Sequence, residues 1–236
     1  MSPRPADVLA ALVSADPGRP RVTSYEDAPG PARGERVELS ARVFATWVAK
    51  AANALQEEFD AGPGTVVRVA VPAHWRALVW AFATWSVGGC VALDDGPADV
   101  VVSDSADLLG QAGAAGVLLT LPALARAALV PVPPGALDEA RELATYADRF
   151  DPWARPSDAD PALRRAGAVT AYGELAPTST LEDGARVHTT TLDTGLLLDL
   201  ALAGWSVDGS LVHSRGAAAD TDLTARLTAE RVTASR

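Results

Sequence analysis

Apolar residues recur at helical spacing after Ser40. Val43, Phe44, Trp47, Val48, Ala51, Leu55 and Phe59 share one stripe, which predicts an amphipathic helix over residues 41–59 with Ser40 as N-cap. Gly62-Pro63-Gly64 forces a turn. Residues 66–71, dominated by valine, then read as a strand covered on both faces. Pro72 introduces a second helix, residues 74–87, which is apolar almost all round and belongs deep in the core. Gly88-Gly89 caps it, and residues 90–93 form the next strand. Strand, helix and strand in this order make a right-handed βαβ unit of a parallel sheet.

The rhythm persists downstream. A short strand at 100–102 precedes a helix at 106–112, capped by Ser103-Asp104-Ser105, and a strand at 117–120. The link from Leu93 to Val100 is too short for a helical crossover, so its pairing stays open. Residues 130–135 read as a linker, 137–149 as a polar helix and 151–161, with three prolines, as coil. The last third alternates again: strand 186–189, helix 193–203, strand 210–213, helix 222–230 and an edge strand at 231–233. The pattern predicts a three-layer α/β fold with a mainly parallel sheet flanked by helices. It is expected to be one domain over 1–236, with subregions 1–150 and 162–236 joined by the Pro-rich coil 151–161.

Composition narrows the function classes. With 236 residues, 48% of them hydrophobic, the chain can bury a core of its own. A net charge of −10 without a Lys/Arg run excludes the cationic face that nucleic acid or an anionic membrane requires. Arginine outnumbers lysine 19 to 1, a bias of GC-rich genomes. Cys90 is the only cysteine, so no internal disulfide forms, and its apolar neighbours mark it as a small buried hydrophobe. No signal peptide opens the chain, and Pro122 and Arg126 break its most apolar stretch, residues 116–132. A cytoplasmic location is expected.

The order of the first elements carries a resemblance. Tyr25, the helix at 41–59, Gly62-Pro63-Gly64, the strand at 66–71, Pro72 and the helix ending in Gly88-Gly89 resemble the N-terminal region of the adenylate-forming superfamily. That superfamily includes acyl-CoA synthetases, luciferases and peptide-synthetase adenylation domains. Thr65 stands where the family usually has Asp. Gly184-Ala185-Arg186-Val187, Gly204, Ser210-Leu211-Val212 and Ala229-Glu230-Arg231-Val232-Thr233 look like the family's segments after its nucleotide loop. Together these cover roughly residues 20–120 and 184–234. A family of short proteins from GC-rich bacteria, similar to AMP-binding enzymes, fits as well.

The resemblance implies a shortened N-terminal domain and a chemistry whose parts are missing. The family grips ATP phosphates with a Ser/Thr/Gly-rich loop ending in Pro-Lys-Gly, which belongs between Asp160 and Arg186. Residues 168–184 have no lysine there and carry Glu174, Glu182 and Asp183, which repel a triphosphate. The family also uses a lysine of a C-terminal lid to neutralise developing charge. Here the only lysine is Lys50, on the first amphipathic helix, where a solvated position is expected. The chain ends about where the family's adenine- and Mg²⁺-binding motifs, hinge and lid would begin.

No complete catalytic motif appears elsewhere. Thr84-Trp85-Ser86-Val87-Gly88 approaches a nucleophile elbow, but Ser86 ends a helix instead of joining strand to helix. Gly110, Gly113 and Gly116 precede a strand and make no dinucleotide fingerprint. His74, His188 and His213 lack metal-ligand spacing. Asp94-Asp95 reads as a solvated loop, and Trp75, Trp80, Trp85 and Trp205 read as core. Asp193 falls where the family places an acyl-pocket residue, and a carboxylate there disfavours an acyl chain.

The expectation is therefore a non-catalytic relative of adenylate-forming enzymes, a binding or partner protein. No catalytic, cofactor-binding or metal residue is assigned, and no cofactor. The partner is an unspecified small molecule or protein, and a homo-oligomer stays open. The alternatives are a weak esterase using Ser86 and one half of a split acyl-adenylate ligase.

Overall fold

The computed structural model describes residues 3–175, 179–217 and 222–236. In chain order the elements are α1 (Pro5–Ala15), β1 (Pro20–Glu26), β2 (Arg36–Ser40), α2 (Ala41–Phe59), β3 (Val66–Ala70), α3 (Trp75–Val87), β4 (Cys90–Ala92), β5 (Val100–Ser103), α4 (Ala106–Ala112) and β6 (Ala115–Leu118). They continue with β7 (Ala136–Asp138), α5 (Glu139–Glu142), β8 (Pro161–Arg165), β9 (Ala168–Ala171), β10 (Arg186–Thr189), α6 (Thr194–Trp205), β11 (Ser210–Arg215), α7 (Leu223–Ala229) and β12 (Ala234–Ser235).

The chain divides into two compact units. The first comprises Met1–Ala6, Thr46–Val71 and Val79–Ala176; the second comprises Asp7–Ala45, Pro72–Leu78 and Pro177–Arg236. The expected α/β class with mainly parallel pairing holds, with the strands gathered into two sheets instead of one.

The first unit is built on a seven-stranded sheet of order β7-β6-β5-β3-β4-β8-β9. All its pairs are parallel except the β8–β9 hairpin. Strands β4 and β5 are buried throughout, as strands covered on both faces require, whereas β3 alternates, with Val67 and Val69 buried and Val66 half-buried. The pairing left open by the short 93–99 link resolves with β5 beside β3, Val67 opposite Val100. Asp99 fixes that join, its carboxylate accepting from Val66 N at 2.8 Å and its own N–H donating to Val66 O. The expected strand at 117–120 begins earlier, at Ala115, and ends at Leu118. In α4 the Ser105 hydroxyl accepts from Leu108 N, as the sequence indicated, and Gly113 ends the helix in the left-handed conformation.

The second unit carries a five-stranded sheet of order β12-β10-β11-β1-β2, parallel throughout except for the β1–β2 hairpin. Helix α6 packs on β10 and β11. Phe44, in the first turn of α2, meets Trp205 edge-on with centroids 5.0 Å apart. The expected edge strand at 231–233 lies further along, at Ala234–Ser235, because Arg231 adopts φ 52° and turns the chain first.

The polar helix expected at 137–149 is overturned. Residues 136–138 form β7, and only Glu139–Glu142 and a 3₁₀ turn at Leu143–Thr145 are helical. The reason lies in α2. Lys50 donates to the carbonyls of Ala144 and Tyr146, Asn53 to those of Ala147 and Arg149, and Gln56 to that of Asp151. With its acceptors satisfied by side chains, the segment has no need of a helical ladder. Elements α1, β1, β2, β8 and β9 were not anticipated. Among the described residues no helix is long and apolar enough to cross a membrane.

Candidate functional site

Parallel α/β sheets bind ligands beyond the carboxyl ends of their strands. In the five-stranded sheet those ends are Glu26 on β1, Thr189 on β10 and Arg215 on β11. The register sets Ser24 and Thr189 on either side of His213, and Glu26 opposite Arg215. Ser24, Glu26, Thr189 and His213 are all buried, so a polar layer occupies what would otherwise be core. Arg215 Nη1 pairs with Glu26 Oε2 at 2.8 Å.

Residues 72–78 of the same unit add the start of α3. His74 Nδ1 accepts from Arg76 N at 3.3 Å, and the Arg76 guanidinium lies 4.4 Å from the centre of the Trp75 ring. Burial, followed by the nearby charges of Arg76 and Arg215 and the His213 ring, pushes His74 down to about 3. Burial likewise pushes His213 down to about 4, against the opposing effect of its hydrogen bond to Thr191 O. That bond, 2.9 Å from His213 Nε2, also fixes the tautomer. A carbonyl only accepts, so Nε2 holds the proton and Nδ1 keeps a lone pair.

The residues alternating with this layer along the strands form a structural lock. Glu230 receives the Tyr25 hydroxyl at 2.6 Å and Arg36 Nη2 at 2.8 Å, and it also pairs with Arg186. Burial alone would raise the Glu230 pKa; the hydrogen bonds from Tyr25, Arg36 and Arg186 outweigh it and hold the carboxyl below its usual value. Arg226 pairs with Asp27 and lies 4.0 Å from the Tyr25 ring centre. His188 Nε2 and Ser214 Oγ sit 3.1 Å apart, but both residues are buried, which keeps an ester away from the pair.

The residues singled out in the sequence scatter. Lys50 is not a solvated cation. Its side chain is 14% exposed, and its ammonium lies 2.6 Å from Asp148 besides the two carbonyls it binds. Ser86 donates to Phe82 O at 2.8 Å inside the last turn of α3, so its hydroxyl is engaged by the helix and not presented by an elbow. Cys90 is buried and its thiol pKa is raised by that burial. Asp94 is not a solvated loop carboxylate; it accepts from Arg164 Nε, Gly96 N and Gly167 N and staples β4 to the β8–β9 hairpin. Asp193 caps α6, accepting from Leu196 N. Trp75, Trp80, Trp85 and Trp205 are core.

Among the described residues no group of three His, Cys, Asp or Glu could hold a metal ion. His74 and His213, 139 positions apart, are neighbours that no spacing rule anticipates; the one available signal was their location, at a helix start and in a strand.

Where the phosphate loop was sought, the chain folds into the β8–β9 hairpin. Ala166 and Gly167 both have positive φ, 50° and 79°, as a tight two-residue hairpin turn requires. Tyr172 follows, buried, its hydroxyl donating to Gly89 O at 2.7 Å. Glu174, Glu182 and Asp183 are exposed, and residues 176–178 of this stretch lie outside the described ones.

No family model matches the chain. A "TIGR03089 family protein" of Mycobacterium tuberculosis is 44% identical over 107 residues, which is 45% of this chain and 42% of that protein. Structural similarity is broader. A Brucella canis acyl-CoA synthetase matches over 100% of this chain and 47% of its own length, with TM-score 0.76 at 12% identity. The N-terminal domain of FACL13 from Mycobacterium tuberculosis matches over 98% of this chain and 62% of its own, with TM-score 0.71 at 14% identity. The NpsA N-terminal subdomain of Klebsiella oxytoca matches over 100% of this chain and 60% of its own, with TM-score 0.68 at 14% identity. The chain thus spans about half to three fifths of these structures. It carries the fold of the N-terminal domains of acyl-CoA synthetases and adenylation enzymes.

Proposed function

We propose that this chain is a non-catalytic relative of the adenylate-forming enzymes, acting as a binding or partner protein in the cytoplasm, with residues 1–236 working as one domain. The observation that carries this reading is the engagement of Lys50. Moving charge onto a leaving pyrophosphate requires a cation aimed at it from a site that excludes water. The only ammonium of the sequence is spent on Asp148 and two backbone carbonyls. The acidic stretch and hairpin at 161–184 support the same conclusion, since a triphosphate needs donors there and would meet carboxylates. A role in binding is supported by the NpsA N-terminal subdomain, which is described in complex with 3-hydroxyanthranilyl-AMSN. A fold of this kind holds a ligand without a whole synthetase around it.

The test is calorimetric titration with Mg²⁺-ATP together with an assay for carboxylate-dependent pyrophosphate release. No release above the no-protein control is expected. Turnover by the purified chain would overturn the reading.

A further inference from the structure

Among the described residues Trp153 is the only aromatic of the exposed large hydrophobic side chains, 67% exposed where Trp75, Trp80, Trp85 and Trp205 are buried. It belongs to the first unit, on the irregular segment that runs along α2. Backbone atoms hold that segment in place. Asn53 donates to the carbonyls of Ala147 and Arg149, and Gln56 Nε2 to that of Asp151. Trp153 N donates to Gln56 Oε1 at 2.9 Å, and Arg4 Nη1 to the carbonyl of Pro156. Exposure alternates along the same stretch. Arg149, Asp151 and Trp153 face solvent, whereas Phe150 and Pro152 between them are half-buried. Arg155 is exposed as well.

A tryptophan held out on a fixed backbone, with arginines beside it, has the make-up of an interface centre. Its flanks indicate what it meets. Arg149, Asp151 and Arg155 form no ion pair among the described residues. Asp151 stands two positions before Trp153 and Arg155 two positions after it, so opposite charges lie symmetrically about the ring. Two such segments laid antiparallel about a two-fold axis through Trp153 bring the ring against its own copy. The same axis sets each Asp151 opposite the Arg155 of the second copy, twice over. The chain carries −10 in all, but these three exposed side chains sum to +1, so two copies meet here without the repulsion that the overall charge imposes elsewhere.

We infer that this chain forms a two-fold homodimer across residues 149–155, with the paired Trp153 rings at its centre and two Asp151–Arg155 ion pairs around them. An aromatic side chain covers about 150–250 Å² when buried, so two of these short segments fall short of the roughly 1,200 Å² at which stable interfaces begin. The dimer is therefore a weak one that forms at high concentration. This inference goes beyond the function proposed above and does not rest on it, since self-association is read without any nucleotide.

The full chain is followed by sedimentation equilibrium from about 5 µM to about 500 µM. The mass is expected to rise from one chain towards two. Trp153→Ser abolishes the rise, whereas Trp153→Phe keeps the dissociation constant within about threefold. Asp151→Arg and Arg155→Asp each set like charges opposite one another and weaken association about tenfold. Made together, the two changes rebuild the pair in reverse and restore it. All these side chains are exposed, and the ties of the segment to α2 at these positions run through its backbone, so the variants keep the fold. A monomer at every concentration overturns the inference and leaves the surface to a different partner. A dimer that survives Trp153→Ser overturns it too, as does a double exchange that stays as weak as its single variants. The pyrophosphate assay is unaffected by any of these outcomes, so the two ideas fail separately.

Discussion

The Lys50 ammonium lies 2.6 Å from Asp148, ninety-eight positions further along the chain, and that contact makes the single lysine of the sequence a tether. Its side chain is largely buried, so removing it leaves the carbonyls of Ala144 and Tyr146 short of a donor. Lys50→Met is expected to cost about 1–2 kcal/mol in urea denaturation. It should leave nucleotide heats unchanged. An intact stability with altered Mg²⁺-ATP binding would instead make Lys50 a ligand-binding residue.

The buried imidazoles predict an acid-sensitive fold. His74 and His213 are held at about 3 and about 4, below the 6.5 of an unfolded histidine. Their contribution is therefore fully present above pH 6.5 and is lost as pH falls, because the unfolded chain takes up protons the fold refuses. Each group should lower stability by about 1.4 kcal/mol per pH unit below about pH 6, until its folded value is reached. Melting curves followed by circular dichroism from neutral pH to about pH 4 measure the slope. A flat profile would mean that these rings are solvated.

Glu230 joins Tyr25, Arg36 and Arg186, and it is 8% exposed. Glu230→Gln leaves two guanidinium groups with a neutral partner and should cost about 3 kcal/mol. Tyr25→Phe removes one hydrogen bond and should cost about 1 kcal/mol. The two changes should be non-additive, which a double-mutant cycle reads directly. Simple additivity would show that Tyr25 and Glu230 are energetically independent.

Gly209 is confined by backbone. A methyl group on its Cα would lie 2.4 Å from Ala185 O and 2.6 Å from Gly204 O, and neither oxygen can rotate away. Gly209→Ala is expected to destabilise by about 3 kcal/mol, with loss of amide-exchange protection in β10 and β11. Protection unchanged from the parent chain would show that the turn after α6 has slack.

Much of the fold was legible because local signals agreed with the tertiary outcome. Ser40 before a helical stripe, Ser105 before α4, and the valine run of β3 each carry a start or a period that packing merely confirms. Strand β1 was hidden because Thr23 and Ser24 look solvent-facing in the sequence but are buried beneath hydrogen-bonded neighbours. The segment after Leu137 misled for the opposite reason. Its spacing of Leu137, Ala140, Leu143 and Ala144 is helical, yet Lys50, Asn53 and Gln56 compete for its carbonyls and win. The site was least legible, since His74, before a helix, and His213, in a strand, are brought together by tertiary packing that no local pattern encodes.

Lys50, Asn53 and Gln56 recur every third position along α2 and, apart from the Lys50–Asp148 pair, donate to residues 144–151 through carbonyl oxygens, groups that every amino acid possesses. Outside Asp148, the fold therefore lets substitution range widely over residues 144–151 while the three donors stay constrained. An insertion or deletion in that stretch shifts every oxygen off its donor at once, and drift in this protein should favour replacement there over any change in length.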